Sequence, residues 1–538
     1  MTEFFDVVIV GAGPAGLVLA NLLGAADLHV ALVEQNAEVI EEPRAVGIDD
    51  EALRSLQTFG MAEPVLQDAV RNAPIRYYDS RGRVLAHVAP TQAPQGWPRR
   101  NLFFQPDLER KLRASLERWD SVTFLSGHEV VQLDPGEKSV RLVTRHADGE
   151  RVLTGGYAVG ADGGRSFLRR ILDIPMLGDT APMTWLVVDV ADDTWDAPYS
   201  AVFTSPKRPS MTIPLPFGHR RFEFKILDGE DPAEMTEPSR VAELIAPFYP
   251  AGELPRPIRR RVYWHHSRTA ARFREGRVFL AGDAAHLQPP FFGQGMNSGI
   301  RDVTNLAWKL AMVVRGHAAD SLLDTYDQER REVAKTMVEF ATGIGRLYQP
   351  RSRVTEVLRN TAFRGAQRIP GARDYILQMK YKPIPHYQEG FVRAARQGKN
   401  SLVGKAFPQP RVQTTDGRSE LLDEVLGHRL ALLSLVPGAH ARLSPAKARA
   451  WAELGAAVVE VHAPPSYRRQ GQEDPRERPA GPDTETLAVF DSHGGLRDLL
   501  LARPQDQVYV VRPDRYVAAT GSLDDVDKLV TEVLKLFE

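Results

Sequence analysis

The alternation of apolar and polar positions opens on a short apolar run, residues 7–10, that meets Gly11, Gly13 and Gly16. Leu17, Ala20, Leu22 and Leu23 follow at helical spacing, then a second apolar run, 30–33, closed by Glu34. This order predicts strand, tight turn, helix and strand. The glycines have separate tasks in such a unit: the first allows the turn, the second lets backbone approach a pyrophosphate, and the third lets helix pack on strand. Phosphates then lie on the first amides of the helix, where the dipole favours negative charge, and Glu34 can accept both hydrogens of a ribose diol. A glycine-rich turn in another α/β unit would share the G-x-G-x-x-G alone. Strand, helix, second strand and terminal acid together point to dinucleotide binding.

Arg44 leaves a loop just after the ribose acid, which turns it toward a cofactor, although a solvated loop cation is the usual fate of arginine. Asp49 or Asp50 can cap a helix carrying Ala52, Leu53 and Leu56. Residues 75–78 and 84–88 flank Ser80-Arg81-Gly82, a hairpin pattern. Gln105 stands at the entry of a helix with Leu108, Leu112 and Leu116, where it can cap or read a flat heterocycle. Strand patterns at 122–125, 130–133 and 140–144 predict a meander that returns at 157–160. Asp162-Gly163 follow, with Ser166 and Arg169 on the next helix; a cap and a turn account for the first two but not for the whole D-G-x-x-S-x-x-R pattern. Period-two alternation at 185–190, 201–204, 210–214 and 221–227 predicts an antiparallel sheet able to cover a ligand held by the nucleotide-binding half.

A third chemical stretch begins where the buried strand 278–280 ends at Gly282-Asp283. Pro289-Pro290 break the chain, and Gly293-Gln294-Gly295-Met296-Asn297 lead into a long helix from about residue 297, with Ile300, Val303, Leu306, Ala307 and Leu310 as its core face. Asp283 is aimed by its turn at a polyol, or caps; the consecutive amides of 293–297 suit a flavin ring edge or another anionic group. Helical spacing continues past Met337, and Pro383, Pro385, Gly390, Gly398 and Asn400 mark a linker. Beyond it, strands at 430–436, 457–461, 487–490, 508–511 and 516–519 alternate with helices at 447–454, 496–501 and 523–537, a thioredoxin-like order.

Composition narrows the chemistry. Lys and Arg (68) balance Asp and Glu (69), so no global field recruits nucleic acid or an acidic membrane, and an anionic ligand must be caught locally. The cysteine count is zero, which removes disulfides, thiol nucleophiles, Cys-ligated metals and thiol exchange by the thioredoxin-like part, leaving that part a structural or dimer-forming role. No metal site is expected. No apolar run approaches the ~20 residues of a membrane span, and with no leader pattern a cytoplasmic protein is the simplest reading.

The glycine-rich unit ending at Glu34, Asp162-Gly163 and Gly282-Asp283, in that order over ~300 residues, resemble the motifs of the group A flavoprotein aromatic hydroxylases. PRAVGIDDEALRSLQ, GWPRRN, the RRFEF of 220–224 and GQGMNSGIRDVTNLAWKL are similar to 3-(3-hydroxyphenyl)propionate hydroxylases, over about residues 5–331. The resemblance implies an α/β protein: an FAD-binding Rossmann-like domain (1–75, 100–180 and 265–345), an inserted antiparallel-sheet substrate domain (76–99 and 181–264), a helical linker region (346–399) and a thioredoxin-like domain without redox cysteines (400–538). It implies FAD, with NADH or NADPH as transient co-substrate, O2, and a phenolic substrate such as 3-(3-hydroxyphenyl)propionate hydroxylated ortho to its hydroxyl through a flavin C4a-hydroperoxide. A homodimer is compatible with it. Gly11, Gly13, Ala15 and Gly16 would face the pyrophosphate and Glu34 and Gln35 the adenosine ribose. Arg44, Ala45 and Gln105 would face the flavin chain, Gly282 and Asp283 the ribityl or pyrophosphate region, and Pro290, Gly293, Gly295, Met296 and Asn297 the isoalloxazine. Asp162, Gly163, Ser166 and Arg169 would bridge FAD and the nicotinamide cofactor. Relatives often carry glycine two residues after the paired prolines, where this chain has Phe292, a candidate substrate contact.

Electrophilic hydroxylation asks the protein to exclude water and help the phenol ionise. Tyr263, His265 and His266 are candidates for that proton, and Arg221 or Arg261 for a substrate carboxylate; aromatic packing and solvation are the ordinary roles of such residues. Three other readings stay open: a hydroxylase of another phenolic or polyketide-type aromatic, an FAD-dependent oxidase or reductase without hydroxylation, and a catalytically idle, interaction-only member.

Overall fold

The computed structural model describes residues 3–249, 252–349, 352–393, 401–463 and 485–538, apart from the side chains at 181–183, 292 and 348. Gly398 and Asn400 of the expected linker lie outside the described residues. The chain is a mixed α/β protein with two compact units, Met1–Ala93 with Pro98–Val303 and Ala334–Pro383, and Pro94–Trp97 with Thr304–Val333 and Ile384–Glu538.

The first unit begins with the strand Glu3–Val10, whose inner half is fully buried and pairs in parallel with both Val30–Glu34 and Gly149–Gly160. Burial on both faces explains its continuous apolar run. Val278–Leu280 extends this sheet beyond Gly149–Gly160. The strand Val122–Ser126 joins it as well, in parallel beside Val30–Glu34, instead of opening the expected meander. The helix Gln105–Ser115 makes that crossover, and buried Asn21 fastens it to the first helix, Pro14–Ala25. The Asn21 amide donates to the carbonyls of Leu17 (2.9 Å) and Leu112 (3.1 Å) and accepts from Ser115 Oγ (2.7 Å) and Trp119 Nε1 (3.0 Å), so a polar side chain in this core leaves no group unmatched. The meander proper is Glu129–Pro135, Val140–His146 and Gly149–Gly160.

A second sheet in the same unit runs, among the described residues, in the order His286–Leu287, Arg256–Ala270, Met176–Ala191, His219–Lys225, Ser210–Leu215, Ser200–Phe203, Ile75–Tyr78 and Val84–Val88. Its pairing is antiparallel except where Ser200–Phe203 meets Ile75–Tyr78. One face packs Leu186, Val188, Phe222 and Phe224 against Val241 and Ile245 of the helix Pro238–Ile245. The opposite face is left for the cavity described below. The helix expected from about residue 297 starts at Gly295, two residues earlier.

The second unit holds a mixed sheet ordered Ser419–Leu421, Arg411–Thr414, Thr486–Phe490, Ala457–His462, Ala431–Ser434, Val508–Val511 and Val517–Gly521. The hairpin 411–421 escapes a periodicity reading because its strands are short and mostly polar. Apolar clusters cover both faces, one around Trp451 and Val530, the other around Leu422 and Tyr509. Set in this unit is a fully buried charge cluster. Glu329 accepts from Lys309 Nζ (2.8 Å), from Arg512 (2.7 and 2.8 Å), from the Asn305 amide (2.6 Å) and from the Phe391 N–H (2.7 Å). Asp514 takes the remaining face of Arg512, with Nε at 2.9 Å. Burial alone would raise the Glu329 pKa, but Arg512 and Lys309 hold it down at about 2.

Breaking a buried cluster by removing one partner strands the others, at a cost of about 3–5 kcal/mol. Glu329→Gln is therefore expected to lower the urea midpoint sharply at pH 7. Because the folded-state pKa is depressed, the stabilisation by Glu329 is present above 4.5 and lost as pH falls toward about 2. The gap between wild type and variant should narrow in that window; equal midpoints at pH 7 would contradict the role given to the cluster.

Candidate cofactor and substrate cavity

A cavity of about 750 Å3 in the first unit is lined at one end by the glycine-rich turn and at the other by the open face of the antiparallel sheet. At the turn, Gly11 has φ +102° and passes so close to the next strand that a Cβ would lie 2.4 Å from the Ala161 carbonyl oxygen. A Cβ on Gly16 would lie 1.8 Å from the Gly11 carbonyl oxygen, so this glycine serves helix packing and does not line the cavity. Gly13 is different: a Cβ there would meet nothing within 4 Å, because its backbone borders the open cavity just ahead of the helix Pro14–Ala25. Ala15 lines the cavity beside it.

Glu34 closes the second strand with its carboxylate at the cavity wall. One oxygen accepts from the Ala12 N–H (2.8 Å), the other from the backbone (2.9 Å) and side chain (2.7 Å) of Asn36, which fixes the acid relative to the turn. Gln105 holds the loop that follows: its carbonyl oxygen accepts from the N–H groups of Arg44 (2.9 Å) and Ala45 (2.6 Å), while its amide donates to Glu109 (2.7 Å). Gln105 thus shapes the wall by positioning 44–45, whereas the Arg44 guanidinium has no hydrogen-bond or ion-pair partner among the described residues and borders the cavity. Gln35 and Ala45 also line it.

Asp162 uses one oxygen to receive the N–H groups of Phe167 (2.6 Å) and Leu168 (3.1 Å); the other is buried with no hydrogen-bond partner among the described residues. Burial raises its pKa against these hydrogen bonds. Gly163, at φ +76°, has open space where a side chain would point. Gly282, at φ +61°, donates its N–H to buried Asp302 (3.0 Å), and that turn presents Asp283 to the cavity, where the surrounding walls raise its pKa in spite of its open position. Asn297 ties the far segment together: its amide donates to the carbonyls of Gly47 (3.1 Å) and Gly293 (2.9 Å) and accepts from the Asp49 N–H (3.1 Å). Pro290, Gly293, Gly295 and Met296 line the same end.

Several expected residues stand elsewhere. Ser166 and Arg169 do not line the cavity: Ser166 Oγ caps its helix on the Arg169 N–H (3.0 Å), and the Arg169 guanidinium donates to the carbonyls of Ala284 (3.0 Å) and Gly164 (2.9 Å). Arg165 and Arg170 line it instead. Arg221 borders the cavity, but four of its five N–H groups are taken by protein acceptors. It grips Asp189 (2.7 and 3.0 Å) and donates to the carbonyls of Pro43 (2.6 Å) and Arg44 (2.7 Å). Arg261 is exposed, 4.0 Å from Glu42 and away from the cavity wall. Tyr263, His265 and His266 do not line the cavity either. His265 lies between Trp185, stacked at 5.9 Å, and Phe291, edge-on at 4.7 Å, with neither ring nitrogen hydrogen-bonded among the described residues; burial pushes its pKa down to about 4, with His266 adding to the shift. His266 shares a hydrogen bond with Thr180 (2.9 Å), and Tyr263 lies under the Arg259 guanidinium. The Phe292 side chain lies outside the described residues. Sequence reasoning missed Asp50, Arg99, Arg100, Glu223 and Lys382, which all line the cavity. The paired acids of the PRAVGIDDEALRSLQ stretch and a lysine flanked by tyrosine and proline were the available signals.

An open cradle at Gly13, a carboxylate at the strand end and an unpartnered buried oxygen on Asp162 fit an elongated dinucleotide with a polyol chain. A family model described as an FAD-binding domain matches residues 5–341. The chain belongs to this family of FAD-binding flavoprotein hydroxylases. It is 42% identical over 96% of its length to a 3-(3-hydroxy-phenyl)propionate/3-hydroxycinnamic acid hydroxylase of Mycolicibacterium gilvum (strain PYR-GCK), 88% of which is covered. It is equally 42% identical, over 96% of its length, to a protein of the same activity from Burkholderia vietnamiensis (strain G4 / LMG 22486), 93% of which is covered. The structure of aklavinone-11 hydroxylase with FAD and aklavinone superposes with a TM-score of 0.78 at 25% identity, over 100% of both chains. The flavin-dependent monooxygenase PieE gives a TM-score of 0.81 at 20% identity over 99% of both, which speaks to the fold. Residues 404–536 match a model described as the HcaD C-terminal domain. The protein is a flavin-dependent aromatic hydroxylase with FAD as cofactor. No described helix is long and apolar enough to cross a membrane.

Two glycines only one residue apart are expected to fail differently. Gly11→Ala drives a methyl group into the Ala161 carbonyl and adds about 1–2 kcal/mol of backbone strain, so it should lower the thermal midpoint. Gly13→Ala clears the protein but enters the cavity, so it should keep its apoprotein midpoint and lose flavin on gel filtration. Full flavin content in Gly13→Ala would show that the cofactor does not approach this turn.

Proposed function

We propose that this hydroxylase acts on a phenol bearing a carboxylate side chain, of the 3-(3-hydroxyphenyl)propionate class, inserting one oxygen atom from O2 ortho to the existing hydroxyl at the expense of one NAD(P)H. The observation that carries it is the continuity of the cavity: one space borders both the dinucleotide turn and the substrate-facing sheet. Bound FAD would supply the redox chemistry, taking electrons from NAD(P)H and activating oxygen. The chain's own residues would do the rest.

Gly11, Gly13 and Ala15 would admit the pyrophosphate, Glu34 and Gln35 the adenosine ribose, and Arg44 and Ala45 the flavin chain. Asp162, Gly163, Gly282 and Asp283 would meet the polyol region. Pro290, Gly293, Gly295, Met296 and Asn297 would form the edge against which the ring rests. Opposite, Tyr77, Val202, Met211 and Ile213 give the sheet wall an apolar surface for an aromatic ring. That surface excludes water, which the electrophilic step requires. Arg100, held by the Ala73 carbonyl (2.7 Å) and Ser200 Oγ (2.9 Å), is the cation on this wall suited to the substrate carboxylate. The names of the curated relatives support this class of substrate.

The same reading extends to the architecture. The FAD-binding part would comprise 1–75, 100–180 and 265–345, the inserted substrate sheet 76–99 and 181–264, and a helical region 346–399. The C-terminal 400–538 would be a thioredoxin-like domain whose lack of cysteine restricts it to structure or assembly, a homodimer among the assemblies it would serve.

NAD(P)H consumption, oxygen uptake, peroxide and product are to be quantified together across a panel of phenols. With 3-(3-hydroxyphenyl)propionate the expected ratio of NAD(P)H, oxygen and dihydroxylated product is 1:1:1. Oxidation that yields only peroxide would remove these acids as substrates. Stoichiometric oxidation of some other donor without hydroxylation would replace the proposal with an oxidase.

A further inference from the structure

Residues 49–51 set three carboxylates in succession at the start of the helix Asp50–Gln57, within reach of Arg99, Arg301 and Lys382. The strong donors go to the outer two. Asp49 caps the helix, accepting the Ala52 N–H at 2.9 Å, and gives its other oxygen to Arg301 and to Lys382 Nζ at 2.8 Å. Glu51 accepts Arg301 Nε at 2.5 Å and stands 3.7 Å from Lys382. Asp50 is left with Arg99 Nε at 3.8 Å, and that guanidinium is already committed through Nη1 to the Gln378 carbonyl at 2.6 Å. Its carboxyl is nonetheless on the cavity wall, although the side chain is only 5% exposed. Asn297 locks the adjoining backbone at Asp49 to the 293–297 segment, so Asp50 belongs to the end of the cavity assigned above to the flavin ring.

We infer that Asp50 is the group that accepts the proton of the substrate's phenol hydroxyl, an assignment that rests on the phenol-hydroxylase reading above. In this step the phenol O–H bond breaks, its electron pair stays on the phenol oxygen, and the proton forms an O–H bond with the Asp50 carboxylate, which ends neutral. The resulting phenolate directs electron density to the ortho carbon, where the electrophilic oxygen must attack. His265, the alternative within the sheet, lies behind Trp185 and Phe291 and does not reach the cavity.

The charge balance around Asp50 suits this work. Burial raises its pKa most; Lys382 opposes the rise, the charges of Asp49 and Glu51 reinforce it, Arg99 opposes it weakly, and the carboxyl comes to about 7. A base whose pKa lies near the working pH is ionised often enough to act and basic enough to hold a proton. The folded-state pKa is raised, so Asp50 costs the fold stability progressively as pH climbs from 3.8 through about 7, and that cost is fully present above it.

The test uses FAD-loaded full-length wild type, Asp50→Asn, Asp50→Glu and Glu223→Gln, with 3-(3-hydroxyphenyl)propionate as the probe. Ionisation of the bound phenol is followed by its ultraviolet difference spectrum from pH 5 to 9 without NAD(P)H, and kcat and KM are measured separately. Wild type should gain bound-phenolate absorbance as pH rises, with a midpoint below that of the free phenol because Asp50 takes up the proton. Asp50→Asn should move that midpoint upward by about one unit or more and lower kcat by roughly 10²–10⁴-fold, with a smaller change in KM. Asp50→Glu should recover part of both. At pH 8 the thermal midpoint of Asp50→Asn should exceed that of wild type, a readout independent of turnover. An unchanged ionisation profile in Asp50→Asn, a lowered thermal midpoint at pH 8, or a profile that moves with Glu223→Gln and not with Asp50→Asn would overturn the assignment. Normal phenol ionisation in a wild type that makes no hydroxylated product would sink the hydroxylation reading while leaving the proton acceptor in place.

Discussion

The buried pair of Asp189 and Arg221 is the joint on which the cavity depends. Both residues lie on neighbouring strands of the antiparallel sheet, and the guanidinium continues past the carboxylate to the carbonyls of Pro43 and Arg44. Arg259 reaches the Pro43 carbonyl as well. Two arginines thus fasten the loop that follows the dinucleotide strand to the sheet that faces the substrate. A neutral, well-packed substitute would match a buried ion pair for stability. It would not supply the fan of donors that fixes two consecutive carbonyls, and without that the two walls would have no set separation.

The same economy of charge recurs around the cavity. Glu34 is immobilised by backbone and by Asn36, Asp162 by the start of its helix, and Asp49 by two cations. Each has one stable partner set. Asp50 and Asp283, whose pKa values desolvation raises, border the cavity without such a set among the described residues, as does the Arg44 guanidinium. Fixed charges shape the walls, and less committed ones are left where a ligand would supply the missing partner. In the second unit the cluster of Lys309, Glu329, Arg512 and Asp514 pairs its charges among themselves and does not line this cavity.

Much of this architecture was legible from period and punctuation. Runs buried on both faces marked the parallel strands, alternation marked the antiparallel sheet, and glycine spacing marked the turn. Partner choice was harder to read: nothing in residues 122–126 distinguishes a meander strand from one that crosses over to pair with Val30–Glu34. Side-chain commitments were equally hidden. Arg221 and Arg169 carry the right chemistry for a ligand, yet protein carbonyls and Asp189 orient both guanidinium groups, and Arg169 does not line the cavity. Conversely, Asp49 and Asp50 read equally well as the helix cap, and only the fold reveals that Asp49 takes the cap and the cations, leaving Asp50 to the cavity. Lys382, more than three hundred positions away in sequence from its partner Asp49, could not be foreseen from spacing.

The central claim is that one cavity holds the flavin and the aromatic acid together. Its most direct test is a crystal structure of the holoenzyme soaked with 3-(3-hydroxyphenyl)propionate under exclusion of NAD(P)H. Density is expected for the pyrophosphate at Gly13, for the isoalloxazine along 293–297, and for the phenol ring between it and the wall formed by Tyr77, Val202 and Met211. A flavin seated away from the glycine-rich turn, or an acid bound outside the cavity with the ring face left open, would contradict it.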